Sequence, residues 1–401
     1  VTGNNLVTID ANVLNLQTDK DAITVDGGKI ISSGTTNIAI IDSNGNKINE
    51  DDFVNKVNKT NAIVAKNGAA VILGNGNILG NIISDDSNVT INKDNKDASV
   101  VGNLAVANGG VLNLSVAGFL GKLKGDIVPS SDIATVASGT STGEVNLTVA
   151  DGAVWTGGLK DPGADLNLAL SGGSWMNSSD VDTTVKSLKG GNGIVKTIKY
   201  DPGTGSLVEI PVNGYIGMQE GAGNVTIKDY SGTHIVSYDH DNSGAAVSDY
   251  KGGNFTVNQA AADSMLIAVT NSKNVNTIDQ AAVEVTLSAL SQKFYYTNAG
   301  TDNNLQGKAM IASGLTSSSI SRWIGDMTFD STHGGVGSFV AGSGINITGD
   351  YETALMKGAR AVTTSAMLSW RDNAANVIYR GDLLRAHMES DGIWAKTFGG
   401  K

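Results

Sequence analysis

The sequence predicts an all-β fold, a solenoid of parallel strands, followed by a long C-terminal α-helix. Three observations support this expectation: Gly is abundant while Pro is nearly absent, short alternating apolar runs end in turns, and two of these runs repeat. The 401 residues include 51 Gly, 4 Pro and no Cys, with 40% hydrophobic and 17% charged residues. That hydrophobic share is too high for a disordered chain, and a collagen would need Gly at every third position and much more Pro.

Strand patterns fill residues 1 to about 290. In four runs apolar residues alternate with polar or small ones, and a turn containing Gly follows. These runs are 22–25, 111–116, 145–149 and 166–170. No apolar residues at helical spacing interrupt this part of the chain, so we expect strands and turns throughout it.

The last two runs repeat one another. Each apolar residue of 145–149 lies 21 residues before an apolar residue of 166–170, and Asn146 lies 21 before Asn167. A period near 20 in a strand-only sequence indicates a solenoid, in which each coil of chain stacks on the previous one. The spacing from Asn113 to Asn146 is 33 residues, so either a loop is inserted there or a coil is skipped. An array of ordinary β-sandwiches is the alternative.

The composition suits such coils. Gly and Asn tolerate the left-handed backbone of tight corners, whereas Pro would remove hydrogen bonds from a stacked sheet. Residues 286–350 remain β-like but carry bulkier apolar groups, such as Trp323. From 351 to 389 apolar residues recur at every third or fourth position, which predicts one helix of about 30 residues or more.

Two motifs in the C-terminal sequence explain a long helix in this position. The first runs Arg380-Gly381-Asp382-Leu383-Leu384-Arg385. The second contains Gly392, Trp394, Lys396, Phe398 and Gly399. Together they resemble the junction of classical (type V) bacterial autotransporters of the pertactin and AIDA-type adhesin group. In that family a β-helical passenger precedes a helix inside an outer-membrane barrel, and a Gly-x-Trp-x-Arg/Lys-x-aromatic-Gly motif opens the first barrel strand.

The resemblance implies a right-handed parallel β-helix and four regions. Residues 1–222 would form the passenger stem and 223–349 the C-terminal β-helix or autochaperone. Residues 350–390 would form the linker helix and 391–401 the start of the first barrel strand. The polar barrel lumen would accept side chains of the helix, for which the candidates are Trp370, Arg371, Arg380, Asp382 and Arg385.

The resemblance also implies a function, surface display at the bacterial outer membrane. We expect an adhesin that mediates host-surface attachment or bacterial self-association. Its partners would be host-surface or glycan ligands, like molecules and its own C-terminal barrel. A net charge of −11 argues against nucleic acid as a partner. The absence of Cys fits export as an unfolded chain, which periplasmic disulfides would obstruct. Further passenger sequence is expected before Val1.

Some relatives cut the passenger free between two consecutive Asn of the linker helix. The corresponding pair here is Ala375-Asn376. Because the first Asn is missing, we expect the passenger to stay attached or to be cut by another mechanism. The tripeptide at 380–382 resembles an integrin-binding sequence, but on a helix inside a barrel it would be inaccessible.

Patterns for catalysis, metals and cofactors are weak, and we expect none of the three. Residues 139–143 match a nucleophile elbow but lack its strand-turn-helix context. Residues 74–80 are one residue too long for a dinucleotide fingerprint and predict a solenoid corner. The acidic pairs at 51–52 and 85–86 lack a Ca²⁺-loop pattern and predict solvated turns. Residues 238–241 predict a surface loop.

Two enzymatic alternatives remain. A protease passenger is disfavoured, because its Gly-Asp-Ser-Gly motif is absent and the four histidines (His234, His240, His333 and His387) are scattered. A β-helical enzyme that acts on glycans would need two or three carboxylates from neighbouring coils, about 5–9.5 Å apart for glycoside hydrolysis. Asp is plentiful, so the sequence leaves this second alternative open.

Overall fold

The computed structural model describes residues 1–42, 44–46, 48–50, 53, 60–92, 97–133, 142–200, 208–312 and 321–346. The chain divides into two compact units, Val1–Ala354 and Leu355–Lys401. The second unit lies outside the described residues, as do the linker helix expected at 350–390 and the motif at 391–401. The predicted junction residues therefore stay predictions: Trp370, Arg371, Arg380, Asp382, Arg385, Gly392, Trp394, Lys396, Phe398 and Gly399.

The described chain is mostly β, with 28 strands within these ranges. The first eleven are β1 (Leu6–Ile9), β2 (Val13–Thr18), β3 (Ile23–Asp26), β4 (Lys29–Ile40), β5 (Asn61–Lys66), β6 (Ala70–Leu79), β7 (Asn81–Asp85), β8 (Asn88–Ile91), β9 (Asp97–Val101), β10 (Leu104–Ala107) and β11 (Gly110–Lys124). The next ten are β12 (Gly143–Ala150), β13 (Val154–Gly157), β14 (Ala164–Ser171), β15 (Gly173–Asn177), β16 (Thr183–Gly190), β17 (Lys196–Tyr200), β18 (Val208–Val212), β19 (Gly214–Met218), β20 (Val225–Ser231) and β21 (Thr233–Tyr238).

The last seven strands are β22 (Phe255–Ala260), β23 (Ser264–Asn271), β24 (Phe294–Tyr296), β25 (Leu305–Ala312), β26 (Ser321–Asp330), β27 (Val336–Phe339) and β28 (Ile345–Asn346). The helices are α1 (Ser130–Ile133) and α2 (Gln280–Ser291), with 3₁₀ turns at Val247–Asp249 and Ser331–His333.

Most strands pair in parallel, in three rows. The first row follows β1, β4, β6, β8, β11, β12, β14, β16, β20, β22 and β24. The second row follows β2, β4, β6, β9, β11, β13, β15, β19, β21, β23 and β25. The third row is β3, β5, β7 and β10. The long strands β4, β6 and β11 contribute to both the first and the second row.

The predicted 21-residue repeat is confirmed as strand register. Asn146 pairs with Asn167 across β12 and β14, and the apolar residues on either side pair with each other. Asn113 pairs directly with Asn146, so the longer interval of 33 residues contains an inserted connection. That connection includes α1, and no strand of the first row is missing between β11 and β12.

A column of glycines lets successive turns of the chain approach closely. Gly80, Gly102, Gly125 and Gly157 have φ between 141° and 149°. A Cβ on Gly125 would lie 2.1 Å from the Gly102 carbonyl oxygen, and one on Gly157 would lie 2.0 Å from that of Gly125. Because any side chain would collide with backbone, these positions require Gly. The predicted link between Gly and corners therefore holds for this column.

Asparagines satisfy backbone groups at the same corners. The side-chain oxygen of Asn81 accepts the Asn103 N–H at 3.0 Å, and that of Asn103 accepts the Asp126 N–H at 2.9 Å. Asp126 in turn accepts the Gly158 N–H at 2.9 Å. Buried N–H groups need such partners, and each corner residue supplies one to the next turn of the chain.

The expectation of strands and turns throughout residues 1 to about 290 is wrong at α2, and so is the β-like expectation for the first residues of 286–350. α2 begins after Asp279, whose carboxylate accepts the Ala281 N–H at 3.0 Å as an N-cap. Val283, Leu287 and Leu290 are buried on one face. This helix was missed because 280–291 follows a long strand pattern and has few large apolar residues.

The chain from β25 onward changes its pairing to antiparallel. β25 pairs with β26, and β26 pairs with β27 and β28. An antiparallel hairpin on β25 covers the last strand of the second row and blocks further parallel addition there. The closing region, defined here as β21 to β28 with α2, thus ends the parallel stack.

A second antiparallel hairpin lies beside the second row and is not part of it. β17 and β18 pair antiparallel and pack Ile198, Ile210 and Val212 against the outer side of that row. They cover Ile235 and Ile267 there, among other apolar residues. The hairpin lengthens the interval between β16 and β20 and supplies a second, separate core.

Candidate functional site

The outward side of the second row carries a first ladder of asparagines. Asn15, Asn37 and Asn77 occupy paired positions on β2, β4 and β6. The Asn37 amide donates to the Asn15 side-chain oxygen at 2.9 Å, and the Asn77 amide donates to that of Asn37 at 3.1 Å. These three asparagines were not predicted individually; the signal that could have found them is their alternation with buried residues such as Ile38 and Ile78.

A second and longer ladder follows the first row. Asn113 donates to Thr90 at 3.4 Å, Asn146 donates to Asn113 at 3.0 Å, and Asn167 donates to Asn146 at 2.9 Å. Ser187 ends the ladder by donating its hydroxyl to the Asn167 oxygen at 2.8 Å. The ladder members therefore lie on five successive strands: β8, β11, β12, β14 and β16.

Each ladder amide keeps hydrogen-bonding capacity for a ligand. An Asn side chain has two N–H donors and two acceptor lone pairs, and one ladder bond on each side uses one donor and one lone pair. In the second ladder Asn113 and Asn167 use their other N–H on Asn88 at 3.3 Å and on Glu144 at 2.9 Å, so each keeps one acceptor lone pair. Half-exposed Asn146 keeps a donor and a lone pair for solvent or a ligand. The ladder thus presents an acceptor at each Asn, at a repeat of about 4.8 Å.

A shallow groove of about 600 Å³ follows the first ladder. Asn15, Asn37 and Asn77 line it, and Glu50 lies at its side. Glu50 forms an ion pair with Lys122, so its charge is largely compensated. The groove also contains apolar residues, such as Leu16 and Ile78, and carries little net charge, which suits an uncharged ligand that combines hydrogen-bonding groups with apolar surface.

Ion pairs next to the second ladder stay at the surface. Lys186 lies 2.8 Å from Asp165 on the neighbouring strand, and this hydrogen bond raises the pKa of Lys186. Glu144 accepts a second hydrogen bond from Asn167 at 2.9 Å. Exposed pairs of this kind contribute little to stability, but they fix the side chains that border the ladder.

The three described histidines each have separate hydrogen-bond partners and do not form a catalytic group. His234 is buried, its Nδ1 lies 3.1 Å from the Tyr230 hydroxyl, and burial lowers its pKa to about 3. His240 is also buried and contacts the backbone oxygens of Asp241 and Asn271. His333 is exposed and bonded to Asp330, and His387 lies outside the described residues.

The surface loop predicted at 238–241 is partly wrong. Tyr238 and His240 point into the protein and are buried, whereas Asp239 and Asp241 are exposed. The segment continues β21 into a short bridge between His240 and Tyr250. An alternating strand pattern continues through it, and it was overlooked because all four residues are polar or aromatic.

Two further predictions are settled by local geometry. Residues 74–79 belong to β6, which passes from the first row to the second between Leu73 and Asn77. The corner predicted at 74–80 is therefore right for this passage and for Gly80, with its φ of 141°, and wrong for 77–79, which pair in the second row. The predicted turn at Asp85-Asp86 is confirmed: Asp86 has a φ of 47° and is exposed. Residues 51–52 and 139–141 lie outside the described residues. In the described ranges, no three His, Asp or Glu side chains group as metal ligands do.

Comparisons with known proteins add no identification. No family model, no curated protein and no solved structure matches the chain. Within the part of the chain that the structure describes, no helix is long and apolar enough to span a membrane.

Proposed function

We propose that the chain is a surface-displayed passenger fragment of a type V autotransporter, folded as a right-handed parallel β-helix. In this proposal it acts as an adhesin in host-surface attachment or bacterial self-association. The observation that carries it is the stacking of outward-facing Asn side chains on paired parallel strands.

The parallel rows support the β-helix. Strands of one row are connected through strands of the other rows, as Asn146 and Asn167 show with β13 between them. A chain that returns to the same row after about one coil winds around its own core. Right-handed crossovers between parallel strands are the general rule, which is the reason for the proposed hand.

The form of the ladders favours attachment over catalysis. Catalysis needs a few groups held at one point, whereas the ladder amides repeat along several strands and present an acceptor oxygen each time. Such a surface suits a repeating polymer or a second coil of the same kind. Binding at many equivalent positions also raises avidity without a deep pocket.

The C-terminal motifs support the place of action. The resemblance at 380–385 and at 392–399 is to the autotransporter junction, whose barrel anchors the passenger in the outer membrane. The closing region lies in the part assigned to the autochaperone by resemblance, at 223–349. Its large buried aromatic residues and antiparallel hairpins suit a segment that folds before the rest.

Display of the full-length protein on cells tests the proposal. We expect cell aggregation and binding to host cells to fall strongly when residues 1–222 are deleted. A second variant, Asn113→Thr with Asn146→Thr, removes two ladder amides and keeps strand-forming residues. Asn258→Thr is the matched control, because Asn258 lies on β22 of the same row outside the ladder.

The amount of protein on the surface is measured with an epitope tag, so that a display defect is separated from a binding defect. If both variants leave aggregation and binding unchanged at equal surface amounts, the adhesin proposal fails.

A further inference from the structure

A second cleft, of about 440 Å³, lies on the outer side of the second row beside the hairpin of β17 and β18. Met176, Gly217 and Ser237 occupy paired positions on β15, β19 and β21. A Cβ on Gly217 would lie 2.6 Å from the Met176 Cε and 3.3 Å from the Gln219 Nε2. Because Gly217 has no side chain, the ends of Met176 and Gln219, which line the cleft, lie close over this position.

One wall of this cleft is apolar and held in place. Tyr215 packs against the core under the hairpin, and Met176 lies opposite on β15. The Tyr215 hydroxyl is 2.6 Å from the Ser237 Oγ, which fixes the ring. Burial raises the pKa of Tyr215, so the phenol stays neutral and can both donate and accept hydrogen bonds.

The rim of the cleft is polar. The Asp239 Oδ1 accepts hydrogen bonds from the Asn271 amide and from the His240 N–H. No described residue donates to its Oδ2. Lys251 is bonded to Glu220 at 2.8 Å, so its charge is compensated. Acidic groups thus outnumber basic ones at the rim, which disfavours an anionic ligand.

We infer that this cleft binds one neutral saccharide unit. A sugar ring has an apolar C–H side, which fits against Met176 and Tyr215, and hydroxyls that both donate and accept, which fit Asp239 and Gln219. An apolar wall with a few convergent polar groups is typical of small-ligand sites, and this cleft combines one such wall with a polar rim. The inference names a ligand class for the proposed adhesin and in this sense rests on that function.

Binding is measured on the purified 401-residue chain by saturation-transfer difference NMR. The neutral probes are lactose, maltotriose and diacetylchitobiose, with 3′-sialyllactose as the anionic and methylammonium as the cationic comparator. We expect transfer to the ring C–H protons of at least one neutral probe, with a Kd on the order of millimolar for so open a cleft. The comparators should show weaker transfer.

Gly217→Val is the decisive variant. The new Cβ would displace the flexible ends of Met176 and Gln219, both of which line the cleft, and Val suits a strand. We expect at least a tenfold loss of affinity with unchanged circular dichroism. The matched control Thr184→Val, at an exposed position of β16, should bind like the wild type. Asp239→Asn should weaken binding less than Gly217→Val, because the amide keeps one acceptor.

Three outcomes would overturn the inference: undiminished binding by Gly217→Val, no binding of any neutral probe by the folded wild type, or transfer to methylammonium alone. None of these outcomes affects the interpretation of the display experiment, which does not depend on this cleft. Conversely, if the display experiment contradicts the adhesin proposal while the purified chain still binds a neutral saccharide, only the proposed function fails.

Discussion

From β5 to β16 the interior is filled mainly with Val, Ile and Leu, whereas the closing region buries Tyr238, Phe255, Phe294 and Tyr296. The first of these parts, called here the coil region, uses parallel strands with glycines and asparagines at the corners. The closing region uses α2, antiparallel hairpins and aromatic rings that contact one another, such as Tyr238 and Phe294 with centroids 5.5 Å apart.

The difference shows two ways to stabilise one continuous sheet. In the coil region each strand has a neighbour on both sides, so small repeated contributions add up along the row. In the closing region the row ends, and fewer but larger side chains bury more area per residue. Substitutions should therefore cost more per site in the closing region than in the coil region.

The largest expected effect is that of Phe294→Ala. Phe294 is fully buried between Tyr238 and Phe255, and its removal should lower the free energy of unfolding by about 3–5 kcal/mol. The matched change in the coil region, Leu168→Ala, should cost less than Phe294→Ala, towards the lower end of the range of about 2–5 kcal/mol for this substitution. Urea unfolding of both variants measures the difference. Equal losses would contradict the proposed contrast between the two regions.

The coil region has its own sensitive positions in the glycine column. Gly125→Ala should lower the free energy of unfolding by about 2–4 kcal/mol, because the new Cβ would collide with the Gly102 carbonyl oxygen. Gly68→Ala is the control: Gly68 also has a positive φ, but nothing lies within 4 Å of its Cβ position. The control should therefore cost only about 1 kcal/mol of backbone strain.

If Gly68→Ala lowers the free energy of unfolding as much as Gly125→Ala in the same urea experiment, close approach of the backbone is not the reason that the glycine column requires Gly.

A pH effect should arise in the closing region, from His234. Burial lowers its pKa from 6.5 to about 3. Between these two pH values His234 binds a proton in the unfolded chain but stays neutral in the folded chain. The stability from neutral His234 is complete above pH 6.5 and is lost as pH falls towards 3. Between pH 6.5 and 5 the loss should be about 2 kcal/mol.

Urea unfolding at both pH values, with His234→Gln and with the exposed His333→Gln as control, measures this loss. His234→Gln should remove most of the pH dependence and His333→Gln little of it. The reverse result would show that another group is responsible.

The smallest expected effect concerns the second ladder. Asn146→Ala removes hydrogen bonds to Asn113 and Asn167 at a half-exposed position. Because water can replace such bonds, the loss of unfolding free energy should be about 0.5–1 kcal/mol. Thermal unfolding compared with Asn258→Ala, outside the ladder, measures it. A loss above that of Phe294→Ala would mean that the ladders, and not the core, stabilise the coil region.

Much of the coil region was predictable from the sequence, because its register follows from repetition. The interval between Asn146 and Asn167 appears directly as strand pairing. The high Gly content predicted that corners would contain Gly, but not which glycines form the column. The contacts between particular glycines depend on the geometry of the corners. The ladders were predictable as outward positions, but not their hydrogen bonds, because inserted connections such as that before β12 change the spacing.

The closing region was less predictable for a physical reason. Its contacts join segments that are far apart in sequence. For example, the indole N–H of Trp323 donates to the backbone carbonyl oxygen of Thr277 at 2.9 Å. α2 lies where strand patterns precede and follow it, and its Asp279 cap resembles any turn residue. The cleft at Gly217 depends on three strands that meet only in the fold, so no local motif indicates it.

The stacked pair of Trp155 and Trp175 gives the coil region a built-in reporter. The two indole rings lie 5.1 Å apart with 9° between their planes, and each donates its N–H to a carbonyl oxygen of the glycine column. Two identical chromophores held this close couple their electronic transitions, so their ultraviolet absorption differs from that of two separate indoles. The absorption of the unmodified chain should therefore show when β13 and β15 dock during folding.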